Sequence, residues 1–126
     1  MRERTLWTLH LGAGGLVLVF LALHMAIMHL DLTGGPFGVA GANAVDWASV
    51  AERAREAFFT VTYVVLLGAA LYHGLFGLRN ILLELSPGVA ARRAIDVGLS
   101  AVGLLLFLFG TWATLAVPGA ASLVGG

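Results

Sequence analysis

Three long apolar runs constrain this chain more than any motif it carries. They occupy about residues 9–30, 57–83 and 94–117. Each exceeds the roughly 20 residues that a helix needs to cross about 30 Å of hydrocarbon. Such a run must satisfy its backbone within itself when it lies in lipid, which makes all three helical. The expected fold is therefore all-α, an integral membrane bundle of three transmembrane helices. The helices are placed at about 5–30, 49–84 and 88–117, in a single membrane domain covering 1–126. With 60% of its 126 residues hydrophobic, the chain has too little polar surface for a water-soluble domain of this size.

The charged residues exclude several function classes. Seven Arg and seven acids cancel to a net charge of zero, and the Arg residues are scattered in ones and twos, so no nucleic-acid surface is expected. The absence of Cys rules out a disulfide, a cysteine-ligated iron–sulfur cluster and a thioether-linked haem. Any metal or cofactor must use His, Met or oxygen ligands. No acid–base or nucleophile constellation is present for a reaction of the chain's own.

The same residues suggest an orientation. Arg2 and Arg4 precede the first span, and Arg79, Arg92 and Arg93 flank the second connection, whereas only Arg53 and Arg55 lie on the other side. The positive-inside rule then puts the N-terminus and second connection in the cytoplasm, with the C-terminus outside. Trp7, Trp47 and Trp112 fall near the expected interfaces, as aromatic belts do. The first run is longer than the 7–15 apolar residues of a signal peptide and is interrupted by His, so it is read as a retained helix.

Local signals refine the helix ends. The stretch DLTGGPFGVAGANAVDW reads as a glycine-rich connection. Ser49-Val50-Ala51-Glu52 has the form of a capping box and starts the second helix there. Glu52, Arg53, Arg55 and Glu56 then read as a solvated, self-paired prelude to its apolar part. Ser86-Pro87 suits the N-cap and first position of the third helix. Asp96 is expected to pair with Arg92 or Arg93, four and three residues earlier.

The four His residues are separated by depth. At 1.5 Å per residue, His73 lies roughly 8 Å from the inner edge and His24 roughly 9 Å from the outer edge. They differ in depth by about 13 Å and do not suit a single metal. His10 sits near the inner boundary and His29 near the outer one. Ala69, Ala70 and Gly77 share the face of His73. Residue types leave two readings of that face open. A flat macrocycle could lie against it, with the imidazole as an axial ligand of haem b. Alternatively, a neighbouring helix could approach while His73 bonds a polar group. His24 has bulky neighbours, Phe20, Leu21, Ile27 and Met28, which ordinary packing also explains. His10 suits either an interfacial role or contact with a haem propionate or quinone. Arg79 could snorkel to the inner headgroups or reach a propionate or quinone head.

The run Tyr72-His73-Gly74-Leu75-Phe76-Gly77-Leu78-Arg79, followed by Ile81-Leu82-Leu83-Glu84, resembles the H-x-x-x-G-x-R…[DE] signature of succinate dehydrogenase membrane-anchor cytochrome b subunits. GLVLVFLALHM in the first helix, VAERAREAFFTVTYV ahead of the signature and the third helix extend the resemblance over residues 7–118. It is greatest to the smaller of the two anchors in actinobacterial-type enzymes.

The resemblance implies a partner, a homologous anchor subunit, and docking of an iron–sulfur subunit and a flavoprotein subunit on the cytoplasmic face. It implies a quinone site shared with that partner, in the bacterial cytoplasmic membrane. His73 becomes an axial ligand of an inner haem b, with a His of the partner opposite. His24 corresponds to the helix-1 ligand of a second, outer haem b in di-haem members. The chain departs from the family at Leu11, where many anchors have Arg, and at Ala13, near which they have Ser. It departs again at Glu84-Leu85, where an Asp-Tyr pair often stands, leaving those quinone contacts for the partner to supply. The alternatives are a haem-bearing anchor of another respiratory dehydrogenase and a cofactor-free structural membrane subunit.

Overall fold

The structure is a computed structural model. It describes residues 2–29, 46–85 and 88–124, with side-chain surroundings for 3–26, 46–85 and 88–116. Residues 31–45 of the glycine-rich connection, Ser86-Pro87 and the side chain of His29 lie outside the described residues. Among the described residues four helices follow one another: α1 (Arg2–His29), α2 (Trp47–Arg55), α3 (Ala57–Leu85) and α4 (Val89–Val124). Three of them contain apolar stretches long enough to cross a membrane, Glu3–Ala26, Ala57–Leu85 and Val89–Ala116. The chain is thus an all-α, integral membrane bundle with three spans.

The expected second helix is divided in two. The capping box at Ser49 does not start it; α2 begins at Trp47 behind Asp46, which has extended backbone angles of −68° and 144°. The chain leaves helical geometry again at Glu56 (−84°, 122°), whose amide bonds the carbonyl of Arg53 at 3.0 Å. Two groups repair the break. The hydroxyl of Thr60 donates to the carbonyl of Ala54 at 3.0 Å, taking up an acceptor orphaned at the end of α2. The amide of Thr60 then bonds Glu56 at 3.2 Å, opening α3.

The break turns α2 against both α3 and α4. Ala51 and Ala54 are buried there, and so is Arg53, at 5% exposure. The solvated prelude expected at Glu52–Glu56 is therefore corrected at Arg53. Small alanines on either side let that helix face approach its neighbours closely enough to cover the Arg stem.

Helix α3 is the middle element, with α1 and α4 packed along it. Lipid tails are as apolar as Leu, so these contacts depend on close approach rather than on escape from water. Glycine provides the approach between α3 and α4. A Cβ on Gly103 would lie 2.7 Å from Leu75, one on Gly110 would lie 2.5 Å from Leu67, and one on Gly68 would lie 3.3 Å from Phe107. Each helix thus offers sockets to knobs on the other. Large apolar side chains such as Leu18, Phe58, Leu105 and Phe109 point outward at more than 60% exposure, the surface expected to face lipid or partner proteins. Trp7, Trp47 and Trp112 are also exposed. Two threonines within the spans satisfy their hydroxyls locally: Thr62 and Thr114 donate to the carbonyls of Phe58 and Gly110, each at 2.8 Å.

Candidate functional site

The signature His lies on the seam between α1 and α3. His10 and Gly14 are one helical turn apart on α1, and the carbonyl of residue 10 is the one that the amide of residue 14 reaches in an α-helix. Because Gly14 has no side chain, the imidazole of His73 can enter that turn, with Nδ1 3.1 Å from the His10 carbonyl. A Cβ at position 14 would lie 2.9 Å from Cε1 of His73 and 3.0 Å from Nδ1. The His10 ring stacks on that of His73, with centroids 4.2 Å apart and planes within 3° of parallel. Gly77 seats the other ring: a Cβ there would lie 3.6 Å from Cε1 of His10. Phe76 flanks it at 5.2 Å.

This arrangement decides part of what the sequence left open. A neighbouring helix does approach the small-residue face of His73, and the space over Gly77 is filled by His10. The carbonyl contact also has a chemical consequence. A carbonyl only accepts, so Nδ1 carries the proton and Nε2 keeps the lone pair. Metal-ligating His residues commonly donate their second nitrogen in this way, which fixes the tautomer. The donor chemistry of His73 therefore fits an iron ligated through Nε2. Among the described residues no three of His, Cys, Asp or Glu converge. His10 and His73 cannot share a metal either, because an imidazole binds metal in its ring plane and these rings are stacked face to face, so no point lies in both planes.

His24 lies elsewhere. Its ring meets the edge of Tyr63 at 5.7 Å, 85° from parallel, in a tight apolar recess with Phe20, Phe58 and Phe59. Ten residues of α3 separate Tyr63 from His73, or about 15 Å along the helix. The two His residues thus sit at two levels, close to the separation expected from the sequence.

Arg79 and Asp96 form a second polar feature. Arg79 Nε donates to Asp96 Oδ1 at 2.6 Å and Nη2 to Oδ2 at 3.3 Å, a forked pairing between α3 and α4. Asp96 therefore does not take the expected partner, Arg92 or Arg93. Pairing across the hairpin presents both carboxylate oxygens to the guanidinium fork. The pair closes one end of an apolar cleft of about 590 Å³ that also contains Leu6, Tyr72, Phe76 and Ser100. Tyr72, at its wall, spends its hydroxyl on the Leu6 carbonyl at 3.0 Å. A second, shallower groove of about 640 Å³ runs along Gly12, Ala13, Leu16 and Ala69.

Sequence reasoning missed the stacking of His10 and the need for Gly14. A weak signal existed: GAGG at positions 12–15 marks a place where α1 can approach another helix.

Comparison with known proteins bears on this geometry. The chain is 26% identical over 110 residues to the succinate dehydrogenase hydrophobic membrane anchor subunit of Archaeoglobus fulgidus, covering 87% of this chain and 86% of that one. This chain is similar to a succinate dehydrogenase membrane anchor. A second protein of the same description, from Thermoplasma acidophilum, is 24% identical over 98 residues, 78% of this chain and 73% of its own. Both membrane-anchor alignments extend over most of the three-span chain. No protein-family profile matches the chain, and no solved structure does.

Proposed function

We propose that this chain is the haem b-binding membrane-anchor subunit of a succinate dehydrogenase, serving the passage of electrons from succinate to a quinone in the membrane. The family part of this reading rests on similarity to two named anchors over most of their length. The haem part rests on one observation, the His10 carbonyl holding Nδ1 of His73. His73 would hold an inner haem b, together with a His of a homologous anchor subunit. His24 would hold a second, outer haem b, its ring set against the edge of Tyr63. The bound haem supplies one-electron chemistry.

This chain's residues orient and insulate. His73 presents one nitrogen, its neighbours on α1 exclude water from the ring, and the groove along Gly12, Ala13 and Ala69 gives the partner anchor a close seat. The cleft ending at Arg79 and Asp96 is this chain's share of a quinone site, apolar along its walls and polar at one end. Arg79 and His10 lie nearest the inner face, where the iron–sulfur and flavoprotein subunits attach. The protein sits in the cytoplasmic membrane with its N-terminus inside and its C-terminus outside.

The test is the dithionite-reduced optical spectrum of the purified complex, with haem quantified per flavin. Two haems in the wild type, falling to one in His24→Ala and to one in His73→Ala, are expected. One haem unchanged by His24→Ala would assign that residue to packing with Tyr63. A complex without haem would overturn the haem reading, and a partner without flavin would overturn the succinate dehydrogenase reading.

A further inference from the structure

We infer that His10 is a positioning residue for His73, fixing both the tautomer and the plane of the ligand ring. The inference rests on the reading of His73 as an axial haem ligand and goes beyond it to the residue that controls it.

An axial imidazole keeps two freedoms after its side chain is placed. One is which nitrogen carries the proton, and the other is rotation of the ring about its bond to Cβ. The backbone of His10 removes the first, since its carbonyl at 3.1 Å accepts from Nδ1. The ring of His10 removes the second. With centroids 4.2 Å apart and planes within 3°, a turn of the His73 ring drives its edge into the stacked neighbour. That neighbour is itself confined by Gly77 beneath it and Phe76 beside it. Its Nδ1 is buried with no hydrogen-bond partner among the described residues. The position of the His10 ring is therefore set by stacking and fit, not by a hydrogen bond from that nitrogen. Face-to-face stacking leaves no point in both ring planes and so rules out His10 as a competing ligand of the same metal, which leaves its flat shape as what it contributes.

A flat ring of another kind should then substitute for imidazole, and a branched chain should not. The experiment uses the purified complex carrying His10→Leu, His10→Phe or His73→Ala. The readouts are haem content and the low-spin ferric electron paramagnetic resonance signal, whose anisotropy reports the relative orientation of the two axial ligand planes. Haem should be lost from the inner site in His73→Ala. His10→Leu should shift and broaden the inner-haem signal, whereas His10→Phe should retain the wild-type position. Loss of the inner haem from His10→Leu with retention in His10→Phe would be a stronger form of the same result.

A wild-type signal in His10→Leu, with haem lost in His73→Ala, would overturn the positioning role alone and leave the ligand assignment standing. Loss of haem from both His10 variants would show that the imidazole is needed for more than its shape, and would also overturn it. Retention of the inner haem in His73→Ala would remove the ligand assignment and this inference with it.

Discussion

Replacing Gly14 by Ala tests the seam between α1 and α3 most directly. The added Cβ would meet His73 Cε1 at 2.9 Å, whereas non-bonded carbons settle at about 3.5 Å or beyond. The ring must therefore retreat by about 0.6 Å. Retreat from α1 also stretches the 3.1 Å contact of Nδ1 with the His10 carbonyl, taking it out of hydrogen-bonding range. Overpacking of this kind costs about 1–3 kcal/mol, against a gain of up to about 1 kcal/mol for Gly→Ala in a helix. Gly15 supplies the control, because nothing lies within 4 Å of a Cβ there. Gly15→Ala should be neutral or mildly stabilising, and Gly14→Ala should fall below it by about 1–3 kcal/mol. The assay is unfolding of the chain in mixed micelles by a denaturing detergent, followed by circular dichroism. In a His73→Ala background the gap should close, since the atom that Cβ strikes is gone. Equal midpoints for Gly14→Ala and Gly15→Ala in the wild-type background would refute the reasoning.

Two further outcomes follow from contacts at the other helix junctions. Thr60→Val removes the hydroxyl that takes up the Ala54 carbonyl and should cost about 1 kcal/mol, with Thr60→Ser restoring most of it; the same unfolding assay reads both. Arg79→Ala and Asp96→Ala should each lower the thermal midpoint of the complex, because each strands the partner of a forked pair. The double variant should be less destabilised than the sum of the two, and strict additivity in that cycle would show that the pair is not coupled.

What the sequence made legible was whatever depended on length and depth. The three spans follow from apolar runs too long for anything but crossing helices, and the different levels of His24 and His73 follow from counting residues along them. Contacts between helices were not legible. Asp96 has two Arg residues at helical spacing on its own element, and nothing in that spacing reveals that α3 brings Arg79 closer. The break at Glu56 was hidden for a similar reason. Ser49 to Glu52 satisfies a local capping pattern, but the turn is fixed by Thr60 and by the burial of Ala51 and Ala54 against α3 and α4. Beside His73, Gly77 leaves space for a ring, while the ring that sits there, His10, comes from another helix whose register only the fold supplies.

The glycine sockets between α3 and α4 act as a register lock. Leu75, Leu67 and Phe107 each enter a site without a side chain, at Gly103, Gly110 and Gly68. A slip of α4 by one turn, about 5.4 Å, would bring Leu99 or Phe107 to the place of Gly103, and Leu106 or Thr114 to that of Gly110. Neither displaced register offers an empty site, so the hairpin has a single fit and little freedom to ratchet. The seam between α1 and α3 uses the same device at Gly14, which the His73 ring enters, and adds the Tyr72–Leu6 hydrogen bond and the His24–Tyr63 contact. Helix α3 thus sets the register of both its neighbours, by glycine sockets on either side.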